Sequence, residues 1–110
     1  MQYGLTFVVD MYDFEKGEEL HVLTMPGDYI RMTKWADENL EATTGGETVT
    51  SLRRNFATAW FALKRRGKLA ELGLPEELDV DAVDAMADRF SIFVNDMEDS
   101  FLPLAQERAN

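Results

Sequence analysis

The apolar residues of this chain change period at Pro26, and that change decides what kind of fold is open to it. Before it they alternate. Leu5, Phe7, Val9 and Met11 share one side of an extended chain, and the habit returns with Leu20 and Val22, His21, Leu23 and Met25 taking the opposite side. The polar, glycine-containing stretch DFEKGEE separates the two runs. The pattern predicts two antiparallel strands, over about residues 4–12 and 19–25, joined as a hairpin. A hairpin alone is marginal in water, so helices have to supply an apolar surface against it.

From Pro26 onward the spacing is helical. Proline cannot continue a ladder, Gly27 turns the chain, and Asp28 is expected to cap a helix of about three turns carrying Tyr29, Ile30, Met32, Trp35, Ala36 and Leu40. ATTGGET, residues 42–48, reads as a loop, and Thr48 or Thr50 is expected to cap a second helix. Its stripe is Val49, Leu52, Phe56, Ala59, Trp60 and Leu63. Lys64, Arg65 and Arg66 suit the negative end of that helix, and Gly67 suits a left-handed cap. KLAELGLPEEL is a connector with room for one helical turn before Gly73. A third helix is predicted from about Val80 to Asp99, with Val83, Met86, Ala87, Phe90, Phe93, Val94 and Met97 inward, and an acidic outer face beside the basic turn of the second helix. The expected fold is α+β: an N-terminal β-hairpin packed on a small bundle of about three α-helices. Residues 1–100 form a single α+β domain, and 101–110, containing Pro103, a flexible C-terminal tail.

Charge and composition narrow the function. Twenty-one acids against eleven bases give a net charge of -10, which repels nucleic acid and favours solubility. Residues 53–68 hold six of the bases and no acid, whereas 71–99 hold ten acids and one base. There are no cysteines, as a reducing compartment permits, and the N-terminus does not read as a signal peptide. The longest apolar run, AWFAL, is five residues, far short of a membrane span.

Chemistry finds little to work with. His21 is the one histidine, and nothing in the sequence specifies a partner or a pocket for it. Asp79-x-Asp81-x-x-Asp84 departs from a calcium loop, which wants glycine and glutamate where Asp84 and Phe90 stand. Gly45-Gly46 lacks the lysine of a phosphate loop. No catalytic residue, cofactor site or metal site is expected. Arg53, Arg54, Trp60, Phe61, Arg65 and Lys68 interleave cations with rings, as a nucleic-acid surface does, but Trp60 belongs to the apolar stripe and the neighbouring acids compete for the cations. Neither nucleic acid nor a membrane is an expected partner. What the stripe leaves over is a second line, Ala57 and Phe61, with Arg65 at its rim and Phe101, Leu102 and Leu104 in the tail. These residues are either a widened core face or a protein-binding patch.

The ordered series TFVVDMYDFEKGEELHVL, MPGDYIRMTKWADENL, NFATAWFALKRRG and NDMEDS resembles the short tail assembly chaperones of long-tailed bacteriophages. In that family a proline, aspartate, aromatic, hydrophobic, arginine segment precedes a helix of the type leucine-alanine-tryptophan-x-alanine-leucine-lysine-arginine-x-glycine. The residues that match are Pro26, Asp28, Tyr29, Ile30 and Arg31, then Ala57, Ala59, Trp60, Ala62, Leu63, Lys64, Arg65 and Gly67, within a likeness over roughly residues 4–99. The resemblance implies a non-enzymatic protein of the host cytoplasm that binds the tape-measure protein, recruits tail-tube subunits and is absent from the mature virion. It further implies a reading frame between a tube-protein gene and a long tape-measure gene, and commonly a longer form made by frameshifting. Self-association into a homo-oligomer is left open. Two other readings compete: an acidic nucleic-acid mimic that inhibits a DNA-binding enzyme, suggested by the acids of 71–99, and a minor structural protein that stays in the virion.

Overall fold

A computed structural model describes residues 8–40 and 46–95 of the chain. Strand β1, Val8–Asp13, pairs antiparallel with β2, Glu18–Leu23, across the four-residue turn Phe14 to Gly17. Gly17 takes a φ of 69°, the left-handed conformation that lets the chain re-enter the ladder. Helix α1, Pro26–Asn39, follows directly, and α2, Gly46–Arg65, is the longest element at 20 residues. The single turn α3, Leu69–Leu72, leads through a connector to α4, Val80–Arg89, and then to a third strand, β3, Phe90–Asn95. The architecture is α+β, with a three-stranded antiparallel sheet in the order β2-β1-β3.

The third strand corrects the expected long helix. The run from Phe90 satisfies two periods at once: Phe90, Phe93, Val94 and Met97 fit a helix, while Phe90, Ile92 and Val94 fit a strand. Pairing decides between them. A two-stranded hairpin leaves one edge of β1 without partners, and β3 supplies them in full register, from Asp13 opposite Phe90 to Val8 opposite Asn95. Phe93 therefore points outward and is 65% exposed, while Met97 lies outside the described residues. The inner face carries the rows Val22–Val9–Val94 and Leu20–Met11–Ile92, in which Val9, Met11 and Val22 are buried.

Helix α2 is the centre of the core. Phe56, Ala57, Thr58, Ala59, Trp60, Ala62 and Leu63 are all buried, so this segment is enclosed on more than one side. It touches α1, α3, α4, β2 and β3. Leu52, predicted to lie on the buried stripe, is instead 45% exposed, because the stripe is covered only from Phe56 onward. Thr48 and Thr50 do not cap the helix; it begins at Gly46, and Thr50 Oγ1 donates back to the Gly46 carbonyl at 3.1 Å. At the other end Lys68 N donates to Leu63 O and Gly67 N to Lys64 O, the paired bonds that close a helix on a left-handed glycine.

Both tryptophans hold the connector before α4. Trp60 Nε1 donates to Pro75 O and Trp35 Nε1 to Leu78 O, each at 3.0 Å. Trp60 is thus a large core side chain and an anchor together. Trp60→Ala is expected to lower the unfolding free energy by about 3–5 kcal/mol in urea denaturation, through the cavity and the lost anchor. An unchanged urea midpoint would contradict this placement.

Candidate functional site

The segment MPGDYIR forms an ion cluster around a buried carboxylate with the end of α2. Asp28 is wholly buried at the third position of α1, not at its cap, because the helix starts at Pro26. Its Oδ2 accepts from the Met25 amide at 2.8 Å, tying down the first turn. Arg65 closes on the same carboxylate from α2, with Nε 3.0 Å from Oδ1 and Nη2 3.0 Å from Oδ2, and Arg31 Nη2 approaches Oδ1 at 3.1 Å. Arg65 Nη2 also donates to Leu23 O at 3.1 Å. One carboxylate thereby joins the end of β2, the start of α1 and the end of α2. Burial pushes the Asp28 pKa up, but the bonds from Arg65, Met25 and Arg31 outweigh it and hold the group below the ordinary carboxylate value.

A second buried carboxylate organises the opposite end of the hairpin. Asp13 receives Arg89 in a forked pair, Nε to Oδ1 at 3.0 Å and Nη2 to Oδ2 at 2.8 Å. It also accepts from the amides of Glu15 and Lys16, which shapes the turn. Arg89 Nη1 reaches Leu72 O at 2.8 Å, so the pair links the hairpin turn, α3 and the junction of α4 with β3. The Arg89 hydrogen bonds bring the Asp13 pKa down to about 2.

These clusters change the standing of the residues singled out from the sequence. Arg65, still partly open to solvent, clamps the buried Asp28. Ala57 is fully buried and offers a partner nothing. Arg54 and Arg65, which both touch α1, lie on one face of α2, and at 100° per residue Phe61 falls on that face too. Phe61 packs against the core and stands edge-on to Trp60, ring centroids 5.0 Å apart. The second line is therefore a core face covered by α1, which the sequence hid because it does not reveal how many neighbours a helix has. Phe101, Leu102 and Leu104 lie outside the described residues.

Exposed apolar side chains occur elsewhere: Phe14 at the hairpin turn, Ile30 on α1 and Phe93 on the outer sheet face. Phe14 lines a groove of about 570 Å³ between the turn, the connector and α4, with Leu74, Pro75, Ala85 and Met86 along it. No sequence motif marks that groove; an aromatic inside the polar DFEKGEE turn is the one sign the chain carries of it. His21 stands exposed on the outer sheet face and hydrogen bonds Asp10 across the hairpin, which raises its pKa. The basic block is largely engaged within the protein: Arg53 forms a forked pair with Asp84, Lys64 lies over Trp60 and Lys68 meets Glu71. The acidic helix is thus joined to α2 through Arg53 and not through the basic last turn.

Among the described residues no group of three or more His, Asp or Glu could hold a metal ion, and no helix is long and apolar enough to cross a membrane. Comparison with known protein families, with curated proteins and with solved structures finds no match.

Two outcomes follow from the clusters. Arg65→Ala leaves the buried Asp28 with Arg31 as its remaining cation and is expected to cost about 3 kcal/mol by chemical denaturation. Asp13 has a folded pKa below its ordinary 3.8, so its contribution is complete above that value and disappears as pH falls through about 2. Denaturation midpoints are expected to drop between about pH 4 and pH 2, with Asp13→Asn reducing that slope.

Proposed function

We propose that this chain is a non-enzymatic tail assembly chaperone of a long-tailed bacteriophage. In this reading it binds the tape-measure protein and recruits tail-tube subunits in the host cytoplasm, and it does not persist in the mature virion. The observation that carries the reading is the convergence of the matched residues. Asp28 and Arg31 of MPGDYIR meet Arg65 of ALKRRG in one cluster, and Trp60 of the same helix fills the core. The two segments that carry the resemblance thus meet in the fold, joined by the Arg65–Asp28 pair across a span of 37 residues. The remaining surface suits such a role. Among the described residues Phe14 and Phe93 are exposed aromatics, Phe14 beside an apolar groove, and a net charge of -10 favours dispersal of a chain that presents them.

Co-expression with the tape-measure and tube proteins encoded beside it is the test. The chain is expected to co-purify with the tape-measure protein, to keep it in the soluble fraction, and to be missing from purified particles by mass spectrometry. Failure to capture the tape-measure protein overturns the reading. Recovery in particles at a fixed copy number makes the chain a virion component instead.

A further inference from the structure

We propose that the groove between the hairpin turn and α4 is a docking site for a protein helix that carries an apolar face flanked by lysine or arginine. This deepens the capture reading and rests on it. The floor and walls are apolar: Met86 is buried at the base, Leu74 and Pro75 form one side, and Ala82 and Ala85 present a low surface on α4. Small residues there allow another helix backbone to come close. Phe14 stands at the end as a wall, 68% exposed, its ring supported edge-on by Tyr12 with centroids 4.8 Å apart. An exposed aromatic held in place by a neighbour is prearranged as an anchor.

Charge says what fills the groove. Glu15, Asp88 and Arg89 are its charged lining residues, and Arg89 is held by Asp13 and also lies 3.7 Å from Glu15. Lys16, beside Glu15, turns towards α3 and donates to Glu71 O at 3.2 Å. Glu76, Glu77 and Asp81, which adjoin the lining residues Pro75 and Ala82 in sequence, are exposed. With Arg89 taken up by Asp13, Glu15 and Asp88 leave the lining net negative around an apolar floor, which favours a basic amphipathic occupant and disfavours a second copy of a chain with net charge -10. An apolar helix face entering a groove through side chains at spacings of three and four is an established mode of peptide recognition.

The probe is a synthetic helical peptide about three heptads long, leucine at the apolar positions and lysine elsewhere, with a glutamate version as its mirror. Titrated into isotopically labelled protein and followed by amide NMR shifts, the lysine peptide is expected to perturb Phe14, Leu74, Ala85 and Met86 first, and the glutamate peptide to leave them unmoved. Ala85→Lys, which blocks an exposed position, is expected to weaken binding at least about tenfold. Glu19→Gln, the same change in net charge on the outer sheet face, is expected to change it less than about twofold. Phe14→Ala, which alters no charge, is expected to weaken it about fivefold or more. Shifts spread over the acidic surface, equal effects of Ala85→Lys and Glu19→Gln, or concentration-dependent shifts of the groove without peptide each overturn the proposal, the last by assigning the groove to self-association. Capture of the tape-measure protein is measured separately on the same variants. Groove binding without that capture removes the phage reading and leaves the groove; capture unaffected by Ala85→Lys and Phe14→Ala removes the groove from the mechanism.

Discussion

A strand in the middle of a sheet has to find partners on both sides, and β1 is the strand on which this molecule turns. Its first partner, β2, is local and follows after a four-residue turn. Its second, β3, comes from the far end of the described chain, after all four described helices. The helical layer therefore leaves from the end of β2, beside Val8, and has to carry the chain across β1 to its other edge and other end, where Phe90 enters opposite Asp13. That geometric demand explains why α4 stops at Arg89 although the following residues would prolong its apolar stripe.

Two aspartate–arginine pairs make the return accurate. Asp13–Arg89 sits where α4 gives way to β3 and fastens that junction to the hairpin turn; Asp28–Arg65 sits where β2 gives way to α1 and fastens that junction to α2. Each arginine also donates to a main-chain carbonyl, Leu72 O in one case and Leu23 O in the other. A charge pair built on a buried carboxylate is a weak source of net stability, since desolvation offsets most of the attraction. Its effect lies in geometry. A forked guanidinium–carboxylate contact tolerates little sliding or rotation, so the pairs fix where the elements meet while the apolar core supplies the drive to pack.

The hairpin, the presence of α1 and α2, and the glycine closures at Gly67 and Gly73 can be read from the chain, because each is a local matter of alternation, periodicity and backbone conformation; the helix starts cannot, since α1 and α2 begin at Pro26 and Gly46, before the residues expected to cap them. Helical periodicity places Trp60 and Phe56 in the core but says nothing of how many sides of α2 are covered. Ala57 and Phe61 accordingly look like surplus surface in the sequence, whereas in the fold Ala57 is buried and Phe61 is partly buried against the core. The strand at Phe90–Asn95 is hidden for a different reason: its residues suit two periods, and only a partner distant in sequence chooses. The groove beside α4 is least legible of all. It is formed by residues from the turn, the connector and the helix, and apart from Phe14 none of them is unusual where it stands.

The two indole hydrogen bonds to the connector have an evolutionary corollary. Both end on carbonyl oxygens, of Pro75 and of Leu78, so they recognise main chain and are indifferent to the side chains those residues carry. Between them stand Glu76 and Glu77, both exposed. Selection that preserves Trp35 and Trp60 therefore preserves the path of this segment while leaving its two central residues open to drift, and the exposed charge that follows the groove residue Pro75 in the chain can be rewritten without disturbing the scaffold that carries it.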